Sequence, residues 1–527
     1  MERNSKILLV KNIKMDKNYK NVLNYQENEM VSLCIANKIS ERDDYSFIRP
    51  TNDIITGFSY SDCLQANYIA FQNPDYSNKW FFAWIDEVEY ISKGSTKLKY
   101  TIDAWSTWYS YWTEKKCYTL RHHVNDDVIG RYTIDENLNV GDVEEESYNE
   151  FLSYGPDGNN YYFCINTTYN PFLERDFDGA VKINGNLAGN YIYCFDVYEG
   201  QTGTPNVANF IYKTASDNKI EAIQDVYILP KDLIDNIGTR TRTHSSTFGS
   251  FTAKELNGSD EALQIACPFY KTKTFSDYTP KNKKCFCYPY NYLLLSNNVG
   301  NQNIYKYEDF EDVDVNQFEM QMAVSVGGSI RLVPKGHKNM EYDYDESIPL
   351  AKFPTCSWST DSFINWLTAN AVNIGTQIVG LGVSAATGNI ATASTQIAGL
   401  IGQFREAILK PNITGGNNTG DVNFAVRKNT FVLHHMRAKT EYLRQIDDYF
   451  TKYGYKINRI IKPNLTGRSI YNYIEIASGE SIGFSESEYG SVPSNFMDII
   501  NSACQNGVTI WHNHSNIGNY DLNNNII

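Results

Sequence analysis

Along most of this chain, apolar and polar residues alternate with a period of two. Lys79-Trp80-Phe81-Phe82-Ala83-Trp84-Ile85-Asp86-Glu87-Val88-Glu89-Tyr90 reads as a long strand, Ser92 to Gly94 as a turn, and Lys97 to Trp105 as the return strand. The pair predicts a hairpin with one buried face. Trp105, Trp108 and Trp112 follow at roughly helical spacing and read as core or interface packing. Tyr191 to Phe195 reads as a strand after Asn/Gly-rich turns. Cys285 to Tyr290 reads as another strand. Helices are expected at Asn206 to Tyr212 and from Ser259 or Asp260 through Leu263. Near the end, Leu443, Ile446, Phe450 and Tyr453 predict one face of a helix over Thr440 to Tyr453, with Gly454 as its stop. Tyr455 to Ile460 alternates as a strand ended by Pro463-Asn464. Ser494 is expected to cap a short helix stopped near Gly507, before a last strand at Val508 to His512. The tail Asn523-Asn524-Asn525 reads as frayed. The fold class expected is mainly β and multidomain, with barrel- or sandwich-like domains, a few helices and one long apolar insert.

That insert breaks the pattern. Between Asp361 and Arg405 lie 43 residues without a charged side chain. Its apolar positions include Ile374, Ile378, Val379, Leu381, Val383, Ile390, Ile397, Leu400 and Ile401. Gly375, Gly380, Gly382, Gly388, Gly399 and Gly402 punctuate it as candidate hinges, and Gly415 and Gly416 lie in a flexible Gly/Asn exit. Gly388-Asn389 divides it into two arms, each short for a bilayer core of about 30 Å. Asn370, Asn373, Gln377, Asn389 and Gln396 also disfavour a single lipid-embedded helix. The small residues permit close helix packing. Two readings stay open: a membrane-active segment, or a buried hairpin or loop packed against other subunits. Val379-Gly380-Leu381-Gly382-Val383 is no dinucleotide loop, because no acid for the ribose exists before Glu406.

Composition narrows the function classes. The chain has 527 residues, 42% hydrophobic and 20% charged, so it folds around a sizeable core. Its 39 tyrosines and 26 phenylalanines favour strands. A net charge of −14 argues against a general nucleic-acid-binding surface. Ten cysteines without framework spacing read as reduced core residues. The run Ile7 to Val10 is too short for a signal peptide. Cys285-x-Cys287 lacks a second pair for zinc. His122-His123 and His434-His435 are adjacent and point apart. His512 and His514 share a strand face without a visible third ligand. Glu144-Glu145-Glu146 reads as a solvated loop, and no nucleophile elbow, zincin motif or P-loop occurs. No enzyme, metal or cofactor is expected, and a structural protein is the simplest account.

A resemblance sharpens that account. Tyr68 to Ala83, with Phe71, Asn73, Tyr76, Lys79 and Trp80, closely resembles a stretch of the tail knob (distal tail tube) proteins of short-tailed, phi29-type bacteriophages of Gram-positive hosts. Arg121 to Val124 followed by Thr133 to Leu138 is similar to the same family. So is Lys452 to Leu465, with Tyr453, Gly454, Tyr455 and Pro463, and so is the end, with Trp511, Gly518 and Tyr520. The resemblance implies a homohexameric tube of β-rich walls that conducts double-stranded DNA. Its lumen is plugged by long apolar loops, which later form a pore in the host cytoplasmic membrane. The segment 362–404 sits where that loop belongs. Implied partners are five further copies, upper tail or connector proteins, weakly and non-specifically bound DNA, the host cytoplasmic membrane and the cell wall. The implied location is the distal tip of the virion tail, after synthesis in the host cytoplasm. The implied domains are a tube-wall domain at 1–145, a knob region at 146–350, the apolar loop at 351–421 and an α+β return at 422–527. Six copies carry roughly −84, which limits adhesion of passing DNA. The rival readings are a glycan-binding adsorption protein using Trp105, Trp108 and Trp112, a wall-degrading enzyme using Glu144 or Glu146, and a connector.

Overall fold

The computed structural model describes residues 6–337, 356–358 and 429–527, apart from 44, 49–51, 74–76, 155–160, 177–180, 184–185, 189, 197–205, 237–238, 247–248, 257–264, 272–273, 298–301, 311–314, 324–328, 478–483 and 487–491. The segment 362–404, the exit glycines and the helix expected near Ser259 lie outside the described residues. The protein is mainly β, with few helices among many strands. It divides into two compact units: Met1–Gly141 with Thr279–Cys285 and Thr440–Ile527, and Asp142–Tyr278 with Phe286–Lys439.

The first unit joins both ends of the chain. Its larger sheet has seven strands in the order Lys38–Arg42, Ile7–Val10, Tyr68–Asn73, Lys79–Ser92, Ser95–Ile102, Asp53–Thr56 and Tyr45–Ile48. All neighbours are antiparallel. The predicted hairpin is its centre, closed at Lys93-Gly94. The expectation of one buried face needs correction. Leu8, Val10, Tyr68, Ala70, Phe82 and Trp84 enter one core, while Ile7, Leu9, Ile69, Phe71 and Ala83 enter another. Both faces are covered there, which is why Trp80 to Ile85 is continuously apolar or aromatic. Toward its turn the hairpin emerges into solvent, and the Tyr90 and Ile91 side chains are exposed.

A five-stranded sheet, Asn21–Leu23, Val508–Trp511, Tyr471–Ile476, Cys117–His122 and Tyr455–Ile461, carries the union of the termini. Asn21–Leu23 runs parallel to Val508–Trp511, and the other neighbours are antiparallel. The helix Thr440–Tyr453 buries Leu443, Ile446 and Phe450 as its periodicity predicts. The helix Ser494–Gln505 has Pro493, not Ser494, at its cap position, and the Pro493 carbonyl accepts from the nitrogens of Phe496 and Met497. The Asn-rich tail is pinned rather than frayed. Asn524 donates to the Tyr471 carbonyl (2.8 Å) and accepts from the nitrogens of Ile470 (3.0 Å) and Tyr471 (3.2 Å).

The second unit contains three main sheets. The first is Val143–Tyr154, Asn429–Ala438, Asn291–Ser296 and Gln302–Tyr305. The second is Ile223–Pro230, Tyr161–Thr167, Tyr191–Asp196, Gly249–Leu256 and Thr239–Ser246. The third is Ile265–Tyr270, Val315–Ala323, Ser329–Lys335 and Cys356–Trp358. All three contribute to one core that includes Phe151, Cys164, Phe269, Leu293, Phe318 and Leu433. The helix Asn206–Ser216 inserts Phe210 against Tyr193, Phe195 and Phe251, with ring centroids 5.2, 5.2 and 5.8 Å away.

Two strand and loop expectations reverse. Glu144 to Glu146 lie in the strand Val143–Tyr154, not in a solvated loop. Glu144 and Glu146 both pair with the buried Arg437, at 2.8 and 2.5 Å, so a cation on the neighbouring strand draws the acids into the sheet. The residues Cys285 to Tyr290 form no strand: a short 3-10 turn covers Lys283–Phe286. Pro289 offers no N–H to a ladder. Beyond Phe286 the backbone is satisfied locally, with the nitrogens of Tyr290 and Asn291 donating to the Cys287 carbonyl.

Candidate functional site

The family-like residues of the amino-terminal half lie on the strands Tyr68–Asn73 and Lys79–Ser92 at the centre of the seven-stranded sheet. Phe71 is buried, stacked on Phe81 at 5.5 Å and edge-on to Tyr45 and Tyr100. Trp80 packs on the opposite core. Asn73 pairs in register with Lys79 where the two strands meet, and Tyr76 lies outside the described residues. The Lys79 ammonium is held by the Thr107 carbonyl (2.8 Å) and the Glu27 carboxylate (3.3 Å). It also sits 3.6 Å from the Tyr111 ring centroid and 4.7 Å from that of Trp108. Burial pushes its pKa down to about 8, against the opposing pull of Glu27.

The carboxy-terminal motif packs around buried charge. Gly454 stops the helix at φ +66°, where its carbonyl accepts from Arg121 (2.9 Å). The other guanidinium nitrogen of Arg121 pairs with Glu136, which also pairs with Lys284 and accepts from the Lys456 nitrogen (2.9 Å). The Glu136 side chain is fully buried. Tyr455 donates to Asp127 (2.7 Å), and burial followed by that carboxylate raises its pKa well above the ordinary phenol range. Tyr453 rests 5.1 Å from the Tyr473 ring, and Pro463 is buried. Asp447, on the helix before Gly454, is buried among donors: Lys281 N (2.8 Å), Asn282 N (2.9 Å) and Asn282 Nδ2 (2.9 Å).

Trp511 and Tyr520 complete the union of the chain ends. Trp511 is fully buried, 4.7 Å from Tyr471 and 5.2 Å from Tyr520. The Asn21 side-chain oxygen accepts from both Trp511 Nε1 (2.8 Å) and the Tyr520 hydroxyl (3.1 Å). Gly518, two residues before Tyr520, takes φ +85° in open space. Asn21 and Asp447 carry no local signal in the sequence: their partners, Trp511 and Tyr520 for the one and Lys281 and Asn282 for the other, are far along the chain, and only the fold brings them together.

The other candidate chemistry resolves into packing. His123 accepts from the Tyr473 nitrogen at Nδ1 (2.8 Å) and donates from Nε2 to the Thr451 carbonyl (3.0 Å), which assigns a neutral ring. Burial, then the neighbouring Arg468, lowers its pKa to about 3 and that of His122 to about 4. His512 meets Asn472 Oδ1 (3.1 Å) and His514 accepts from the Lys14 nitrogen (3.1 Å), so the two converge on no common ligand. His434 faces Glu145, whereas His435 is buried against the Tyr307 hydroxyl (2.6 Å). No group of three or more His, Cys, Asp or Glu able to hold a metal occurs among the described residues. Trp105 and Trp112 are buried and Trp108 packs on their cluster, which removes them as a glycan groove. Among the described residues no helix is long and apolar enough to cross a membrane.

Comparison with known proteins decides what this framework is. The family model for the carboxy-terminal domain of the Bacillus phage phi29 tail knob protein gp9 matches residues 251–403 and 372–525. Together these spans exceed half of the chain. This chain belongs to the phi29-type tail knob family. A model of the caudoviral major tail protein N-terminus matches residues 3–113 of the same knob chain. The knob chain is 26% identical to the tail knob protein gp9 of Bacillus phage PZA and 25% identical to that of phi29, each over 87% of both chains. It is 24% identical to that of phage B103 over 88% of both. The solved tail knob protein gp12 of bacteriophage C1 shares the fold, with a TM-score of 0.61 at 14% identity, over 99% of this knob chain and 100% of that one. The knob protein is a structural component of a phage virion and not an enzyme.

Proposed function

We propose that six copies of this chain form the distal tube of a short tail and conduct the phage genome through it. In this reading the apolar segment 362–404 plugs the lumen before infection and opens the host cytoplasmic membrane afterwards. The observation that carries the reading is the 43-residue charge-free run, flanked by sequence that the tail knob model matches on both sides. A lone chain exposing that run would carry a large apolar patch, and a ring of copies can bury it in the lumen. Asn373, Gln377 and Gln396 then face water in the pore while Ile and Leu face lipid. Gly415 and Gly416 serve as the hinge by which the segment leaves the tube. The net negative charge lets DNA slide without adhering. Electron-microscopic class averages of the wild type and of a deletion of Asn370 to Gln403 test this. Six-fold rings are expected from both, with central density filled only in the wild type. Monomers throughout, or equal central density in both, would overturn it.

A further inference from the structure

We propose that Cys164 and Cys194 form a cross-strand disulfide when the folded chain meets a small-molecule disulfide or an equivalent two-electron thiol oxidant outside the reducing cytoplasm. The two residues stand directly opposite one another on Tyr161–Thr167 and Tyr191–Asp196, the second and third strands of their sheet. Directly opposed residues in an antiparallel pair have Cα atoms about 4.5–5.5 Å apart, inside the window of about 4.4–6.8 Å that a disulfide spans. Both side chains turn into the same core, and their sulfurs lie 3.2 Å apart. Closing to a bond of about 2.05 Å needs a rotation of the side chains and no change of register. Isolated core cysteines do not explain this placement, whereas each of these sulfurs has the other as its neighbour.

The chemistry balances as two exchanges. One thiolate attacks a sulfur of the small disulfide and releases one small thiol. The second thiolate then attacks the protein sulfur of the mixed disulfide and releases the other. The two cysteines are oxidised, the small disulfide is reduced to two thiols, and two protons pass from the cysteines to the products. Both thiols are buried, so the first attack follows local opening of the sheet. The seam beside Cys194 is where Tyr193 pairs with Glu255 and Cys194 with Lys254 on Gly249–Leu256. The bond closes a loop from residue 164 to residue 194 and ties the centre of that sheet together after the particle has left the cell.

The test uses the purified full-length chain. It is reduced, freed of reductant, incubated folded with oxidised glutathione, then alkylated with N-ethylmaleimide in guanidinium and weighed intact. Eight of the ten cysteines should be alkylated, and a chymotryptic digest should yield one linked pair containing Cys164 and Cys194. In Cys194→Ala all nine remaining cysteines should be alkylated. Should that variant fail to fold, the wild-type digest decides. Ten alkylated cysteines in the oxidised wild type, glutathione adducts without an internal link, or a link elsewhere, such as between Cys117 and Cys504 of the other unit, would each overturn the proposal.

Discussion

Replacing Gly454 by alanine puts a methyl group where the chain has no room for one. The residue sits at φ +66°, and a Cβ there would lie 2.7 Å from the His123 backbone nitrogen and closer still to the His122 carbonyl. A left-handed conformation costs an alanine about 1–2 kcal/mol. Overfilling a packed site costs about 1–3 kcal/mol more. The obstacle is backbone, and it is held in place: the His123 nitrogen donates to the Tyr473 carbonyl (3.2 Å), and Gly454 accepts from Arg121. Relief therefore means moving Cys117–His122, which lies between two other strands. Gly454→Ala should lose roughly 2–5 kcal/mol of stability. Two controls separate the contributions. Gly518→Ala, at φ +85° with open space around it, should lose only about 1–2 kcal/mol. Gly94→Ala, with neither a positive φ nor a near neighbour, should stay within about 0.5 kcal/mol of the wild type. Urea unfolding followed by tryptophan fluorescence reads mainly this unit, because Trp80, Trp84, Trp105, Trp108, Trp112 and Trp511, six of the eight tryptophans, belong to it. Equal losses at Gly454 and Gly518 would refute the steric part of the reasoning.

Glu136→Gln leaves the buried Arg121 and Lys284 without their carboxylate and should cost about 3–5 kcal/mol in the same unfolding experiment. Asn21→Ala removes the shared acceptor of Trp511 and Tyr520 and should cost about 1–3 kcal/mol, with a change in the near-ultraviolet circular dichroism of the tryptophan. The folded-state pKa values of His122 and His123, about 4 and 3, lie below the ordinary value of 6.5. Their contribution is therefore complete above about pH 6.5 and is lost as pH falls toward 3, where the unfolded chain binds protons that the folded one refuses. Stability measured from pH 7 down to pH 4 should fall, and His123→Gln should flatten the slope relative to wild type. An unchanged slope would mean that His123 is not held neutral by its surroundings.

Local pattern made some elements legible and not others. Thr440–Tyr453 was readable because Leu443, Ile446 and Phe450 recur at helical spacing and a glycine follows. Asp447 on the same helix is buried against donors from residues 281 and 282, which no local spacing foretells. The hairpin Lys79–Ser92 and Ser95–Ile102 was readable from its alternation and its turn, but its two-sided burial required knowing that separate cores cover each face. The triple glutamate misled because its partner Arg437 is almost 300 positions away, and Cys285 to Tyr290 misled because its apolar and aromatic residues have the composition of a strand, whereas Pro289 argues against one. The parallel pairing of Asn21–Leu23 with Val508–Trp511 leaves no periodic trace, since register between distant strands is set by packing. The family-like blocks, in contrast, fall on the hairpin, the glycine-stopped helix and the Trp511–Tyr520 cluster, which are places where the backbone or the core admits few alternatives.

In the proposed function the apolar segment 362–404 of the tail knob chain opens a membrane. A liposome dye-release assay tests it most directly, comparing wild type with the deletion of Asn370 to Gln403, with ring assembly of both proteins checked by negative-stain images of the same samples. Leakage from the wild type, with intact rings but no leakage from the deletion, is the predicted result. Intact rings of both proteins without leakage from either would contradict it and leave the segment a plug alone.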